Sequence, residues 1–156
     1  MENAQALVNK LINLNYCISF AESCTGGMLC SRIVDVPDAS KVLNMSFITY
    51  ADAAKIKLLG VNSETIAEHG VVSEQVAGQM AYGAAKVSGA NVAVGVSGIA
   101  GPSGGTAQKP VGTVCFGFYI NGGLQTFTEH FSGLDRQGVR NASCDFVLKT
   151  LLSLIK

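Results

Sequence analysis

The sequence predicts a three-layer α/β/α fold on a mixed, mostly parallel sheet with a hairpin in the C-terminal half. Three observations predict it. Short apolar runs alternate with stretches of helical spacing through the first hundred residues, the pattern of a sheet covered by helices on both faces. Residues 91–97 (Asn-Val-Ala-Val-Gly-Val-Ser) are almost wholly apolar, as a parallel strand buried on both faces must be. Asn121-Gly122-Gly123 then separates two runs rich in β-branched and aromatic residues, which is a hairpin signal. The chain has 156 residues and shows no repeat, linker or low-complexity tract, so residues 1–156 are expected to form one domain.

The elements follow in order. Leu7, Val8, Leu11, Ile12 and Leu14 fall on helical spacing within residues 2–14, and residues 16–21 read as a buried strand. That strand runs into Glu22-Ser23-Cys24-Thr25-Gly26-Gly27, and residues 28–34 continue as a helix. Residues 43–50 read as a second strand, with Asp52 as the cap of a short helix holding Lys55 and Leu59. Helices are expected over 63–68 and 73–88, the latter opened by Ser73 and stopped by Gly89. After the strand at 91–97 comes Gly98-Ile99-Ala100-Gly101-Pro102-Ser103-Gly104-Gly105-Thr106, the densest glycine stretch. The hairpin strands are expected at 111–120 and 124–131, and a closing helix at 137–155.

Composition excludes several classes of function. Charged residues make up 14% of the chain, against roughly 25% in an average soluble protein. Eleven basic residues balance eleven acidic ones, so no electrostatic footprint for nucleic acid or an anionic membrane is present. The shortage of charge leaves apolar surface to cover and predicts a homo-oligomer. Five cysteines, an odd number without a CxxC pair, read as reduced thiols of a cytoplasmic protein. The two histidines lie away from any cysteine pair, so no metal and no cofactor is expected. Asn9, Lys10, Asn13 and Asn15 interrupt the apolar N-terminus, which predicts no signal peptide, and no segment reaches membrane-spanning length.

Three segments compete for the chemistry. Thr25, Gly26 and Gly27 in the first glycine turn offer backbone N–H groups at a helix start to a phosphate or a developing oxyanion, with Ser23 beside them as a nucleophile. A plain helix cap accounts for the same residues. The second segment, residues 98–106, is neither a Walker loop nor a nucleophile elbow. Its Gly101, Gly104, Gly105 and Thr106 suit an anion-binding nest as well as they suit a connecting loop. The third, Tyr50 to Lys55, runs from a strand end into a helix. Parallel strands would bring all three to one crevice. A lysine desolvated there loses its proton more readily and becomes a base for Ser23, whereas an isolated helix lysine is ordinarily solvated. Lys57, two residues on, faces elsewhere. Arg136 and Arg140 share a helix face and fit either a phosphate or a helix ion pair. His69 and His130 have structural explanations.

These segments together resemble the CinA C-terminal domain family. The matches are Ala21-Glu22-Ser23-Cys24-Thr25-Gly26-Gly27, Thr49-Tyr50 with Lys55, Leu59-Gly60-Val61 and Gly70-Val71-Val72-Ser73-Glu74. Gly98-Ile99-Ala100-Gly101-Pro102, Gly104-Gly105-Thr106, Lys109-Pro110-Val111-Gly112-Thr113-Val114, Asp135-Arg136 and Val139-Arg140 follow in order. The resemblance implies an amidohydrolase that converts nicotinamide mononucleotide to nicotinate mononucleotide and ammonia. It implies Ser23 as nucleophile, Lys55 as base, Tyr50 as a proton relay or orienting group, and an oxyanion site at Thr25, Gly26 and Gly27. Gly101, Gly104, Gly105, Thr106, Arg136 and Arg140 are the expected contacts to phosphate and ribose. The chain departs from the family pattern where Ala51-Asp52-Ala53 replaces Ser-Asn-Glu, where Met45-Ser46 replaces Gly-Gly, and at Leu134, inserted before Asp135. A nucleotide- or partner-binding domain without turnover is the rival expectation.

Overall fold

Five strands form one sheet in the order β2-β1-β3-β4-β5: β1 (Ile18–Glu22), β2 (Phe47–Ile48), β3 (Val92–Gly98), β4 (Thr113–Ile120) and β5 (Gly123–His130). The structure, a computed structural model, describes residues 1–156. β1 pairs in parallel with β2 and β3, while β3–β4 and β4–β5 pair antiparallel. Four strands therefore run the same way and only β4 is reversed. The hairpin turn uses Asn121 and Gly122, both with positive φ, the backbone that a two-residue turn needs.

Helices cover both faces. α1 (Glu2–Leu14), α2 (Met28–Val34) and α6 (Arg136–Leu154) bury one face in a cluster that includes Leu7, Leu11, Phe20, Val94, Phe116 and Val147. α3 (Asp52–Leu59), α4 (Ser63–His69) and α5 (Glu74–Ser88) lie on the other, with Ala21, Leu59, Met80 and Ala93 in the core there. The alternation of Phe20 with Ala21, and of Val92 and Val94 with Ala93, follows from the two-residue period of a strand.

The boundaries differ from expectation in two informative places. The strand expected at 43–50 shrinks to Phe47–Ile48, because the Phe20 N–H that a longer β2 would engage donates to Ser46 Oγ at 3.1 Å. Only an isolated bridge joins Ile18 to Leu43. Asp52 does not cap α3: the cap position is Ala51, without a side-chain bond, and Asp52 occupies the first turn. Ser73 and Gly89 do bound α5 as read, Ser73 Oγ accepting from the Val76 N–H. All five cysteines are free.

α5 sits unusually close to the sheet. Gly95 of β3 and Gly117 of β4 are cross-strand partners, and a Cβ on either would overlap the Ala77 carbonyl of α5. Gly83 repeats the arrangement one layer out, where a Cβ would overlap the Leu59 carbonyl at the end of α3. Backbone thus packs on backbone from the sheet through α5 to α3. Gly95→Ala and Gly117→Ala should each cost about 1–3 kcal/mol in urea unfolding, as overpacking does. Gly123→Ala, whose Cβ meets only the Ile120 carbonyl at an ordinary 3.5 Å, should stay within about 0.5 kcal/mol of the parent.

Candidate functional site

β1 ends at Glu22, which lies opposite Ile48 of β2 and Val96 of β3, so the chain leaves three parallel strands at one level. The segments that follow meet beyond the carboxyl ends, where open α/β sheets bind ligands. A cavity of about 290 Å³ lies there, and its lining includes Ser23, Tyr50, Asp52, Lys55, Gly101, Gly104 and Arg136. A larger open groove of about 740 Å³ runs between α5 and the β4–β5 hairpin, but it contains neither Ser23 nor Lys55. Its acidic residue, Glu74, already accepts from the hydroxyls of Thr126 and Thr128. The smaller cavity is the one that brings Ser23 and Lys55 together.

Lys55 projects from α3 into this cavity and is 1% exposed. Its Nζ lies 3.1 Å from Ser23 Oγ, 2.8 Å from the Thr49 carbonyl and 3.4 Å from the Tyr50 carbonyl. It makes no ion pair. Burial pushes the amine below the ordinary lysine value, and the Asp52 carboxylate opposes that shift. In the neutral state two N–H bonds serve the two carbonyls and the lone pair faces the Ser23 hydroxyl. A hydroxyl in hydrogen-bond contact with a neutral amine is the arrangement that a serine nucleophile and its base require. Ser23 is held in turn by its own N–H, which donates to the Val96 carbonyl at 3.1 Å. The neighbouring Cys24 thiol is pushed by burial up to about 11, so it stays protonated near neutrality.

The glycine turn differs from the expected anion site. The Glu22 side chain, 1% exposed, accepts from the N–H groups of Gly27, Leu29 and Cys30 at 3.0, 3.1 and 2.9 Å. The Gly26 N–H donates to the Ser23 carbonyl at 3.1 Å. Gly26 and Gly27 are thus not available as donors, because the protein's own carboxylate fills the start of α2 and the turn uses the other amide. The N–H groups of Cys24 and Thr25 have no acceptor, and the buried Thr25 hydroxyl has no partner. Glu22 was not among the expected site residues. The available signal was an acidic side chain closing an apolar strand just before a glycine turn.

The remaining expected residues divide. Arg136 lines the cavity, donating to the Gly101 carbonyl at 2.7 Å and to the Tyr50 hydroxyl at 3.1 Å. Tyr50 therefore meets Lys55 through its main-chain carbonyl, and its hydroxyl meets Arg136 instead. Gly101 and Gly104 line the cavity, both with positive φ, and neither N–H has a partner. Gly105 and Thr106 lie outside the lining, where Thr106 closes a local turn with Lys109 through two bonds. Arg140 is also outside it: Nε donates to the Cys24 carbonyl at 3.0 Å and an Nη to the Thr25 carbonyl at 3.1 Å. It binds the back of the turn rather than the cavity. His69 lines the other groove, and His130 is exposed with Nδ1 3.2 Å from Thr113 Oγ1. No group of three or more His, Cys, Asp or Glu is placed to hold a metal ion, and no helix is long and apolar enough to cross a membrane.

The sequence matches the model of the CinA C-terminal domain over residues 1–155. The chain belongs to the CinA C-terminal domain family. Among its CinA relatives, the nicotinamide-nucleotide amidohydrolase PncC of Enterobacter agglomerans is 49% identical over 136 residues, covering 86% of this chain and 82% of that protein. A CinA-like protein of Fervidobacterium nodosum is also 49% identical, over 133 residues and 85% of this chain. The matched region is only 32% of that protein's length, so the chain spans about a third of such longer relatives. The fold agrees closely with the competence/damage inducible protein CihA of Agrobacterium tumefaciens, with a TM-score of 0.96 at 38% identity over 99% of this chain and 94% of that one. A CinA superfamily protein of Escherichia coli gives a TM-score of 0.94 at 38% identity, covering 97% and 88%.

Asp52, where the CinA pattern has a neutral residue, puts a carboxylate on the cavity beside Lys55. A fluorophosphonate should label Ser23 faster as pH rises through the titration of Lys55, because only the neutral amine accepts the Ser23 proton. Asp52→Asn removes a charge that holds the Lys55 value up, so the acidic limb should move to lower pH. The shift should be small because Asp52 is exposed. A rate–pH profile of labelling checks both, and an upward shift contradicts the assignment.

Proposed function

We propose that this chain hydrolyses the carboxamide of nicotinamide mononucleotide to nicotinate mononucleotide and ammonia through an acyl-enzyme on Ser23. The observation that carries this reading is the contact between Ser23 and a buried Lys55 that no carboxylate neutralises. The similarity to a protein named nicotinamide-nucleotide amidohydrolase supports the choice of substrate.

The steps follow from the geometry. Neutral Lys55 takes the Ser23 proton as Oγ attacks the carboxamide carbon, and the carbonyl oxygen becomes an oxyanion. The free N–H groups of Cys24 and Thr25 are the donors closest in sequence to the nucleophile and receive that charge. One such donor is typically worth about 3 kcal/mol of barrier. Lys55 then returns the proton to the leaving nitrogen, the C–N bond breaks and ammonia departs. Water, deprotonated by Lys55, attacks the ester, and the proton passes back to Ser23 as the acid leaves. Tyr50 contributes its carbonyl to orient Lys55 and its hydroxyl to hold Arg136. In this reading Arg136 and the unpartnered amides of Gly101 and Gly104 take the phosphate, since a guanidinium beside convergent N–H groups is an anion site.

Purified protein should release ammonia from nicotinamide mononucleotide, and Ser23→Ala and Lys55→Ala should each lower kcat by at least about 10³-fold, as loss of a nucleophile or its base does. Hydroxylamine added during turnover should divert part of the product to the hydroxamate, since it competes with water for an acyl-enzyme. Full activity in Ser23→Ala, or hydrolysis with no hydroxamate at any hydroxylamine concentration, would overturn the acyl-enzyme. Ligand-induced thermal stabilisation without turnover by the parent would favour a binding domain.

A further inference from the structure

Arg140 is left over by this scheme: a guanidinium brought to the nucleophile's turn by the last helix, yet absent from the cavity lining. What it binds is specific. Nε takes the Cys24 carbonyl and an Nη takes the Thr25 carbonyl, while the other Nη donates to Gln137 at 3.1 Å. The same Nη that holds Thr25 would lie 3.6 Å from a Cβ on Gly26, so the guanidinium is packed against the turn.

A peptide unit is planar and trans, so its C=O and the following N–H point in opposite directions. Holding the Cys24 carbonyl on the α6 side therefore aims the Thr25 N–H the other way. Holding the Thr25 carbonyl fixes the next plane, whose N–H belongs to Gly26. That N–H donates to the Ser23 carbonyl, and the Ser23 carbonyl shares its plane with the Cys24 N–H. Arg140 thus orients the Thr25 N–H directly, through the Cys24 carbonyl, and helps to place the Cys24 N–H through Gly26, where the Met28 N–H also donates to the Thr25 carbonyl at 3.0 Å. A positive charge on the carbonyl end of a peptide also polarises its N–H, strengthening it as a donor. We infer that Arg140 is a positioning residue that aims the Cys24 and Thr25 N–H groups at the oxyanion of the Ser23 adduct, and is not a ligand of the substrate phosphate. This inference rests on the acyl-transfer reading of Ser23.

The two roles separate experimentally. Kinetics of Arg140→Ala and Arg140→Lys on nicotinamide mononucleotide and on nicotinamide riboside, the same amide without phosphate, distinguish them. A positioning role lowers kcat for both substrates by the same factor, about 10²-fold for Arg140→Ala, with KM little changed. A lysine ammonium donates from a single point and does not reproduce the planar two-nitrogen fork by which Nε and an Nη hold successive carbonyls, so Arg140→Lys should also lose most of the rate. If Arg140→Ala does not fold, as judged by circular dichroism, Arg140→Lys carries the same reading. An increase in KM confined to the phosphorylated substrate, with kcat intact, overturns the inference in favour of a phosphate ligand. Fluorophosphonate labelling of Ser23 supplies a substrate-independent measure, because the phosphoryl oxygen of the adduct needs the same donors. Labelling slowed about 10²-fold in the variants supports the role even if the parent releases no ammonia from either amide, an outcome that would sink only the assigned substrate. Unchanged labelling in folded Arg140→Ala overturns it.

Discussion

The site depends on one carboxylate. Glu22 is the last residue of β1, and its side chain turns back to hold three N–H groups at the beginning of α2. A buried carboxylate is tolerable only when its oxygens are satisfied, and a helix start supplies donors and a favourable dipole together. α2 has only seven residues, too few to be stable alone, so it exists because the sheet caps it. Joined at both ends, the intervening residues 23–26 have no freedom to extend as strand or coil as helix. Ser23 is consequently presented where β1, β2 and β3 finish, and Lys55 arrives from α3 against it.

Much of this arrangement was legible. Parallel pairing of the strands that precede Ser23, Tyr50 and the glycine-rich loop follows from alternating apolar and helical segments, and it brings Ser23 to Lys55. The hairpin was legible from Asn121-Gly122-Gly123, because so few residue pairs accept that turn. What failed shares a cause: a pattern shows that a polar group is present but not which partner is nearest. Gly26 and Gly27 were reasonable anion donors until Glu22 supplied an internal anion. Arg140 had the right charge and the right neighbourhood, but two carbonyls of the turn reach it first. β2 ended early because the Ser46 hydroxyl took a bond that the ladder would have used. These are short-range competitions between nearby partners, which periodicity does not resolve.

Charge placement ties the two levels together. Of all the Asp, Glu, Lys and Arg side chains, only those of Glu22 and Lys55 are buried. They take opposite solutions to burial. Glu22 is surrounded by donors, as a charged acceptor requires. Lys55 faces a hydroxyl and two carbonyls, which suits a neutral amine. Both of the buried ionisable side chains therefore stand beside Ser23, one as a satisfied carboxylate and one as an amine suited to neutrality.

The glycine stack beneath α5 has a consequence for how this protein can vary. In most cores the distance between two helices or sheets depends on side-chain volume, so each substitution nudges every neighbour. Here Gly95, Gly117 and Gly83 let main chain rest on main chain from the sheet out to α3. α3 carries Lys55, so its separation from Ser23 is gauged by peptide groups, which substitutions do not resize. Exchanging one apolar residue for another around the stack should therefore leave the spacing of the pair unchanged. The glycines themselves bear the whole of that constraint.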